Sequence, residues 1–141
     1  MEFKAKLFNE LSARELYEIV RARQEIFLME QRIVCRDFDG VDYDALHCFI
    51  WNEDKVVAYL RGFIKDGEIH LGRFLTLRHG ERLGRRLMEL SLPEIRARLG
   101  GGRIVIHAQK HAEGFYQKLG FVTTSEVFLE EGVEHVEMQL D

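Results

Sequence analysis

The sequence predicts an α/β domain (an α+β mixed sheet, mostly antiparallel, with helices on its faces) in the order β-α-β-β-β-α-β-α-β-β. Three observations point to it. The opening segment alternates apolar and charged residues, turn signals of the hairpin kind punctuate the middle of the chain, and a short apolar run, Ile104-Val105-Ile106, stands between two segments of helical spacing. The 141 residues contain no repeats, low-complexity tracts or linker-like stretches, so 1–141 is expected to be a single domain with one core.

Phe3 to Phe8 (FKAKLF) has the period-2 pattern of a half-buried edge strand. Ser12 and Glu15 fit a capping box, and Leu16, Ile19, Val20, Arg23, Phe27 and Glu30 then recur at helical spacing, which predicts one amphipathic helix over 13–31. Residues 32–46 have no period but contain Asp37, Asp39, Gly40, Asp42 and Asp44, and read as a loop. Strands are expected at His47–Trp51, Lys55–Ile64 and Glu68–Leu77, joined by the turns Asn52-Glu53-Asp54 and Lys65-Asp66-Gly67 into antiparallel hairpins.

Glu81 to Leu99 returns to helical spacing through Leu83, Leu87, Leu90 and Ile95. Pro93 is expected to kink this helix or end its regular part, and Gly100-Gly101-Gly102 to stop it. Ile104-Val105-Ile106 has the character of a strand buried on both faces, and a helix from about His111 to Leu119, closed by Gly120, follows it, so a parallel strand pair is expected here. Thr123–Leu129 and Val133–Leu140 alternate around Glu130-Glu131-Gly132 as a closing hairpin.

A formal net charge of −4 supplies no general attraction to nucleic acid or to an anionic membrane surface, so any anion site must be local. No apolar run approaches the roughly 20 residues that cross a bilayer, and the N-terminal segment lacks the apolar stretch of a secretory signal. A cytoplasmic location is the expectation. Cys35 and Cys48 have no metal-ligand spacing, and a reducing cytosol disfavours a disulfide between them. The acidic loop superficially resembles a calcium loop, but its glycine comes too early and Cys48 stands where a bidentate glutamate belongs, so no metal is expected. The loop reads either as a solvated turn or as an acidic rim that attracts a cationic amine.

Local charge is inverted over residues 73–86, where Arg73, Arg78, Arg82, Arg85 and Arg86 face Glu81 alone. The stretch runs from a strand through a turn with Gly80 and Gly84 into a helix. A helix start leaves backbone N–H groups unpaired and carries partial positive charge, so glycines that admit a ligand make an anion cradle there, although arginines on a solvated helix face are also common. Neither G-x-x-x-x-G-K-[ST] nor G-x-G-x-x-G with a distal acid is present. Further on, Tyr116 follows Gln109 by seven residues and Ala112 by four, along one side of a helix.

The strand, basic Gly turn and helix, followed by Gln109-x-x-Ala112-x-x-Phe115-Tyr116-x-x-x-Gly120-Phe121, resemble motifs A and B of the GNAT superfamily of N-acetyltransferases. Arg23-x-x-x-Phe27-x-x-Glu30-Gln31, Asp39-Gly40-x-Asp42, Ala108-Gln109 and Glu131-Gly132-x-x-His135 resemble its ElaA-like branch, so the likeness spans nearly the whole chain. It implies an acyl-CoA N-acyltransferase fold, acetyl-CoA as co-substrate and a small-molecule or peptide amine as acceptor. It also implies that Phe74-Leu75-Thr76 offers main-chain groups to the pantetheine arm, and that His79-Gly80-Glu81-Arg82-Leu83-Gly84-Arg85 holds the pyrophosphate. Gln109, Phe115 and Tyr116 would complete the donor site. The family pattern for the turn is Q/R-x-x-G-x-G/A; His79 occupies its first position here and Arg82 stands where glycine is usual.

Direct acyl transfer needs an amine without its proton, donors for the developing oxyanion and an acid for the departing thiolate. Tyr116 matches the family's acid, and a phenol near ~10 can share its proton with a thiolate near ~8.5. The other reading of Tyr116 is a core ring. His135, His47, Glu30, Glu25 and Glu126 are the candidate bases, His135 foremost because histidine titrates near neutrality. Arg23 and Glu30 either contact substrate or pair with neighbours. The leading expectation is therefore an N-acetyltransferase. An acyl-CoA-binding sensor with little turnover, or an interaction domain, are the alternatives, and the hairpin at 123–140 is a possible homodimer contact.

Overall fold

The computed structural model describes residues 1–79 and 82–141. One mixed sheet carries eight strands: β1 (Glu2–Leu7), β2 (Leu46–Asn52), β3 (Lys55–Lys65), β4 (Glu68–Thr76), β5 (Ile104–Gln109), β6 (Val122–Thr123), β7 (Phe128–Glu130) and β8 (Val133–Leu140). Their spatial order is β1-β2-β3-β4-β5-β8-β6, with β7 also on β8. Only β4 and β5 run parallel, joined across the helix α2 (Leu83–Leu99). The hairpin turns Asp66-Gly67 and Glu131-Gly132 have positive φ at both central residues (52° and 78°, 51° and 75°), the geometry that matches the strand twist.

Two departures from expectation concern the helices. α1 covers Ala13–Arg23, entered through the Ser12–Glu15 capping box, but beyond Arg23 the chain winds wider as a π-helical segment, Gln24–Glu30, in which the Gln31 N–H donates to the Ile26 carbonyl at 2.9 Å. α2 does not stop at Pro93. The proline ring costs about 3 kcal/mol in a helix interior, while Leu87, Met88 and Ile95, each at most 1% exposed, recover about 1.5–3 kcal/mol apiece, so burial wins. α3 (Glu113–Lys118) follows a 3₁₀ turn, Lys110–Ala112. The single strand expected over 123–129 is two short ones, β6 and β7, so the final alternation is interrupted; β8 lies inside the sheet rather than at its edge.

The core lies on both faces of the sheet. α2 packs with Leu46, Cys48, Ile50, Leu60 and Ile104 on one face, while α1 covers Phe49, Val56, Tyr59 and Leu75 on the other. This is why β2 and β3 read as apolar runs rather than clean alternation. α1 covers the half of the sheet formed by β2 to β4.

Two irregularities shape the centre. β4 and β5 pair only from Ile69↔Ile104 to Leu71↔Ile106, and then separate. On the other side of β4, Tyr59 pairs with Leu75 and Arg61 with Gly72, so Arg73 and Phe74 together oppose Leu60 in a bulge, with Arg73 left-handed at φ 53°.

Candidate active site

Two cavities meet at Phe74, Thr76 and His79. The first, about 560 Å³, lies at the start of α2 between β4 and α3. Arg78, Arg82, Arg85, Lys118 and His79 line it, with Phe74, Leu83, Phe115 and Leu119 as its apolar walls, and no carboxylate among its described lining. Arg82 caps α2 in a left-handed conformation (φ 55°, ψ 22°) and its side chain does not cap the helix, so the amides of the first turn are left to a ligand. That φ explains why glycine is the easier residue at this position. A Cβ on Gly84 would lie 2.9 Å from the Phe74 Cζ and 3.4 Å from the Phe115 Cζ, so the aromatic wall presses directly against the helix backbone. A cationic cradle at an uncapped helix start fits a diphosphate. The expectations for Gly80 and Glu81 lie outside the described residues. Leu75 turns its side chain into the core beneath α1 and is 2% exposed, so only its main chain faces outward.

The second cavity, about 650 Å³, opens where β4 and β5 separate. Tyr116 lines it. Its ring is 7% exposed and fixed by edge contacts to Phe74, Phe115 and Phe121 at centroid distances of 5.9, 5.2 and 5.7 Å. Burial pushes its phenol above the ordinary range, which keeps the proton on the oxygen. The core-ring description of Tyr116 therefore holds for its ring, and the same residue lines the cleft.

Gln109 and His135 stand directly opposite each other on β5 and β8, and both line this cleft. Gln109 Nε2 donates to Gln31 Oε1 at 3.0 Å. His135 Nδ1 lies 2.8 Å from the Val133 carbonyl, which can only accept, so Nδ1 carries a hydrogen and Nε2 is the ring nitrogen free to exchange one. Nε2 is 3.6 Å from Glu130 Oε2. Glu130 also accepts from His107 Nδ1 at 2.9 Å; that bond holds the Glu130 carboxyl below its usual range and raises His107.

The other base candidates divide. Glu30 lines the cleft, with Oε1 3.1 Å from His79 Nε2, which ties the mouths of the two cavities together. His47 is fully buried instead: Tyr59 donates its hydroxyl to Nδ1 at 2.7 Å, and Nε2 donates to the Asp42 carbonyl at 2.9 Å. Desolvation lowers its pKa, so it stays neutral. Glu25 and Glu126 are exposed and line neither cavity.

The aspartate loop is not a free acidic rim. Arg23, 1% exposed, bonds Asp37 Oδ2 at 3.1 Å and Asp42 Oδ1 at 2.8 Å; Arg61, 3% exposed, bonds Asp39 and Asp42; Arg73 bonds Asp37 Oδ1 at 2.8 Å. Three guanidinium groups balance three carboxylates, and Arg73 ties the loop to the β4 bulge. Arg23 thus pairs with its neighbours and does not face substrate. Sequence reasoning missed Arg61, Glu130 and His107, for which a charged residue inside an apolar strand was the one available signal at Arg61; Arg73, grouped there with the cations of the basic turn, bonds the aspartate loop instead and does not line the first cavity. Among the described residues, no group of three or more His, Cys, Asp or Glu is arranged to hold a metal ion.

Comparison with known proteins agrees with this geometry. A family model for the acetyltransferase (GNAT) domain matches residues 13–141. The chain is 32% identical to ElaA of Escherichia coli over 92% of this chain and 90% of that protein, and 32% identical to a UPF0039 protein of Schizosaccharomyces pombe over 100% and 97%. Among solved structures, E. coli ElaA superposes with a TM-score of 0.94 at 30% identity over the full length of both chains. An acyl-CoA N-acyltransferase from Pseudomonas aeruginosa superposes with a TM-score of 0.92 at 29% identity over 99% of each. A family model over most of the chain, with relatives about a third identical and superposing along nearly its whole length, makes the protein a member of the GNAT acetyltransferases, in the branch that contains ElaA.

Proposed function

We propose that the chain is a cytoplasmic N-acetyltransferase that moves the acetyl group of acetyl-CoA directly to a primary amine of a small molecule or peptide. The supporting observation is the junction at Phe74, Thr76 and His79. It joins a cationic cavity suited to the diphosphate to a cleft lined by an unionised phenol and an imidazole.

Arg78, Arg82 and Arg85, with the first amides of α2, neutralise the diphosphate of the co-substrate. β4 parts from β5 after Leu71, so the main chain of Phe74 to Thr76, paired on one edge with β3 at Leu75 and Thr76, has its other edge on the gap beside β5, where it meets the pantetheine amides. His135 Nε2 takes a proton from the incoming ammonium; Glu130 at 3.6 Å then stabilises the imidazolium. The amine nitrogen bonds to the acyl carbon as the carbon–sulfur bond breaks, Tyr116 donates its proton to the departing sulfur, and the second proton that the nitrogen sheds as the amide forms returns to the Tyr116 oxygen. Its raised pKa means that this proton is still present at every working pH.

Coenzyme A at saturation should raise the melting temperature, because a ligand bound by the native state alone stabilises it. Thiol release from acetyl-CoA with panels of polyamines, amino acids, aminosugars and peptides then separates an enzyme from an acyl-CoA sensor. The absence of any thermal shift would refute both.

A further inference from the structure

The larger cleft has two kinds of wall. Its outer part is polar, with Glu30, His79, Glu130 and His135. Its inner part enters the gap that opens after Leu71↔Ile106, and there the lining is the core itself: Leu60 is 0% exposed, Met88 1%, Ile106 4% and Leu71 7%. A side chain that lines a cleft and is almost entirely shielded from water marks a blind end. These four side chains and Tyr116 belong to one cluster on the α2 side of the sheet, whereas Arg61 and His135, equally shielded in the cleft lining, alternate with Leu60 and Val136 to the other face, so among these buried side chains on the α2 side the Tyr116 hydroxyl is the polar group. The recess therefore suits a short apolar group and rejects an ammonium, which would lose its hydration there without a partner.

We propose that this recess receives the acyl chain of the donor, and that Met88 sets how long that chain can be. The inference rests on the donor-site reading above. Met88 follows Gly84 by four residues, so the same face of α2 that meets the diphosphate cavity one turn earlier meets the acyl end. Leu60 and Ile106 are branched and fixed in strands, whereas methionine is unbranched with three rotatable bonds and gives way most readily. The protein accordingly takes acetyl and, by rotation of Met88, the next longer groups. Shortening Met88 to alanine removes about three carbon-sized atoms and opens a matching length of channel.

Binding tests this without an identified acceptor. Dissociation constants for coenzyme A, acetyl-CoA, butyryl-CoA and hexanoyl-CoA are measured by calorimetry for the wild type, Met88→Ala, Met88→Val and Leu90→Ala. Leu90 lies on the same helix, is 36% exposed and lines neither cavity. The wild type should bind hexanoyl-CoA about tenfold more weakly than acetyl-CoA, the scale of discrimination that a few methylenes give in an apolar pocket. Met88→Ala should erase or invert that ratio, Met88→Val should move it partway, and Leu90→Ala should keep it. An unchanged ratio in either folded Met88 variant overturns the assignment while leaving the donor site standing. Failure of the wild type to bind coenzyme A overturns the donor site and this inference with it.

Discussion

Arg82 separates two effects that usually travel together, backbone strain and ligand charge. Its φ of 55° lies in the left-handed region, where a side chain costs roughly 1–2 kcal/mol and glycine nothing, although glycine gives back about 0.5–1 kcal/mol through the freedom of its unfolded state. Arg82→Ala keeps the strain and loses the charge; Arg82→Gly loses both. The glycine variant should therefore be more stable than the alanine variant by about 0.5–1 kcal/mol. For 141 residues the unfolding entropy is about 0.3 kcal/mol/K, so the glycine variant should melt about 2–3 °C higher in the absence of ligand. Both variants should bind coenzyme A about fivefold more weakly than the wild type, since a solvent-exposed guanidinium contributes about 1 kcal/mol to a phosphate contact. Scanning calorimetry without ligand and titration calorimetry at low ionic strength read the two effects separately. A glycine variant melting no higher than the alanine variant would refute the strain argument. Wild-type affinity in both would remove Arg82 from the diphosphate site.

Three further outcomes follow from geometry already described. Tyr116→Phe should lower kcat by about 10²-fold or more while leaving the Kd for coenzyme A unchanged, and the wild-type rate should show no alkaline loss from Tyr116 up to pH ~10, because burial holds its phenol above the ordinary range; a matching loss of donor affinity would contradict the acid role. Gly84→Ala should displace the Phe74 ring, whose Cζ would lie 2.9 Å from the new Cβ, and weaken coenzyme A binding, measured by titration calorimetry, with little change in melting temperature. Glu15 is buried, which alone would raise its pKa, but Lys4 at 2.8 Å, the Ser12 amide and Lys6 outweigh burial and hold it at about 2, below the ordinary 4.5 of a glutamate. At 1.36 kcal/mol per unit, that difference of 2.5 is worth about 3 kcal/mol at pH 7, so Glu15→Gln should be destabilised by about that much in urea unfolding, and the gap should close as pH falls from 4.5 toward 2.

Most of the fold is legible in residue order because local signals and packing agree. The capping box at Ser12 starts α1, the glycines at 67 and 132 supply positive φ in hairpins, and the apolar run 104–106 is a central strand. The misses share a cause, which is tertiary burial overriding local rules. Pro93 stays inside a helix because its neighbours are buried, and the helix beyond Arg23 changes winding at a residue whose guanidinium is tied to a distant loop. The residues proposed to hold the donor could be named from residue order because they stand in continuous segments, 74–79, 82–85 and 109–116. The acceptor side was not, because His135, Glu130, His107 and Glu30 come together only through strand pairing and a hairpin fold. His47 shows the limit most plainly, since nothing in its sequence neighbourhood reveals that both ring nitrogens are already engaged.

Because Arg23, Arg61 and Arg73 cancel Asp37, Asp39 and Asp42, the loop that borders the amine side projects little field into solution, while the coenzyme side is ringed by cations. Added salt should accordingly weaken capture of the coenzyme steadily as ions accumulate, whereas any response on the amine side should come from Glu30, Glu130 and Glu131 at the cleft and not from the loop.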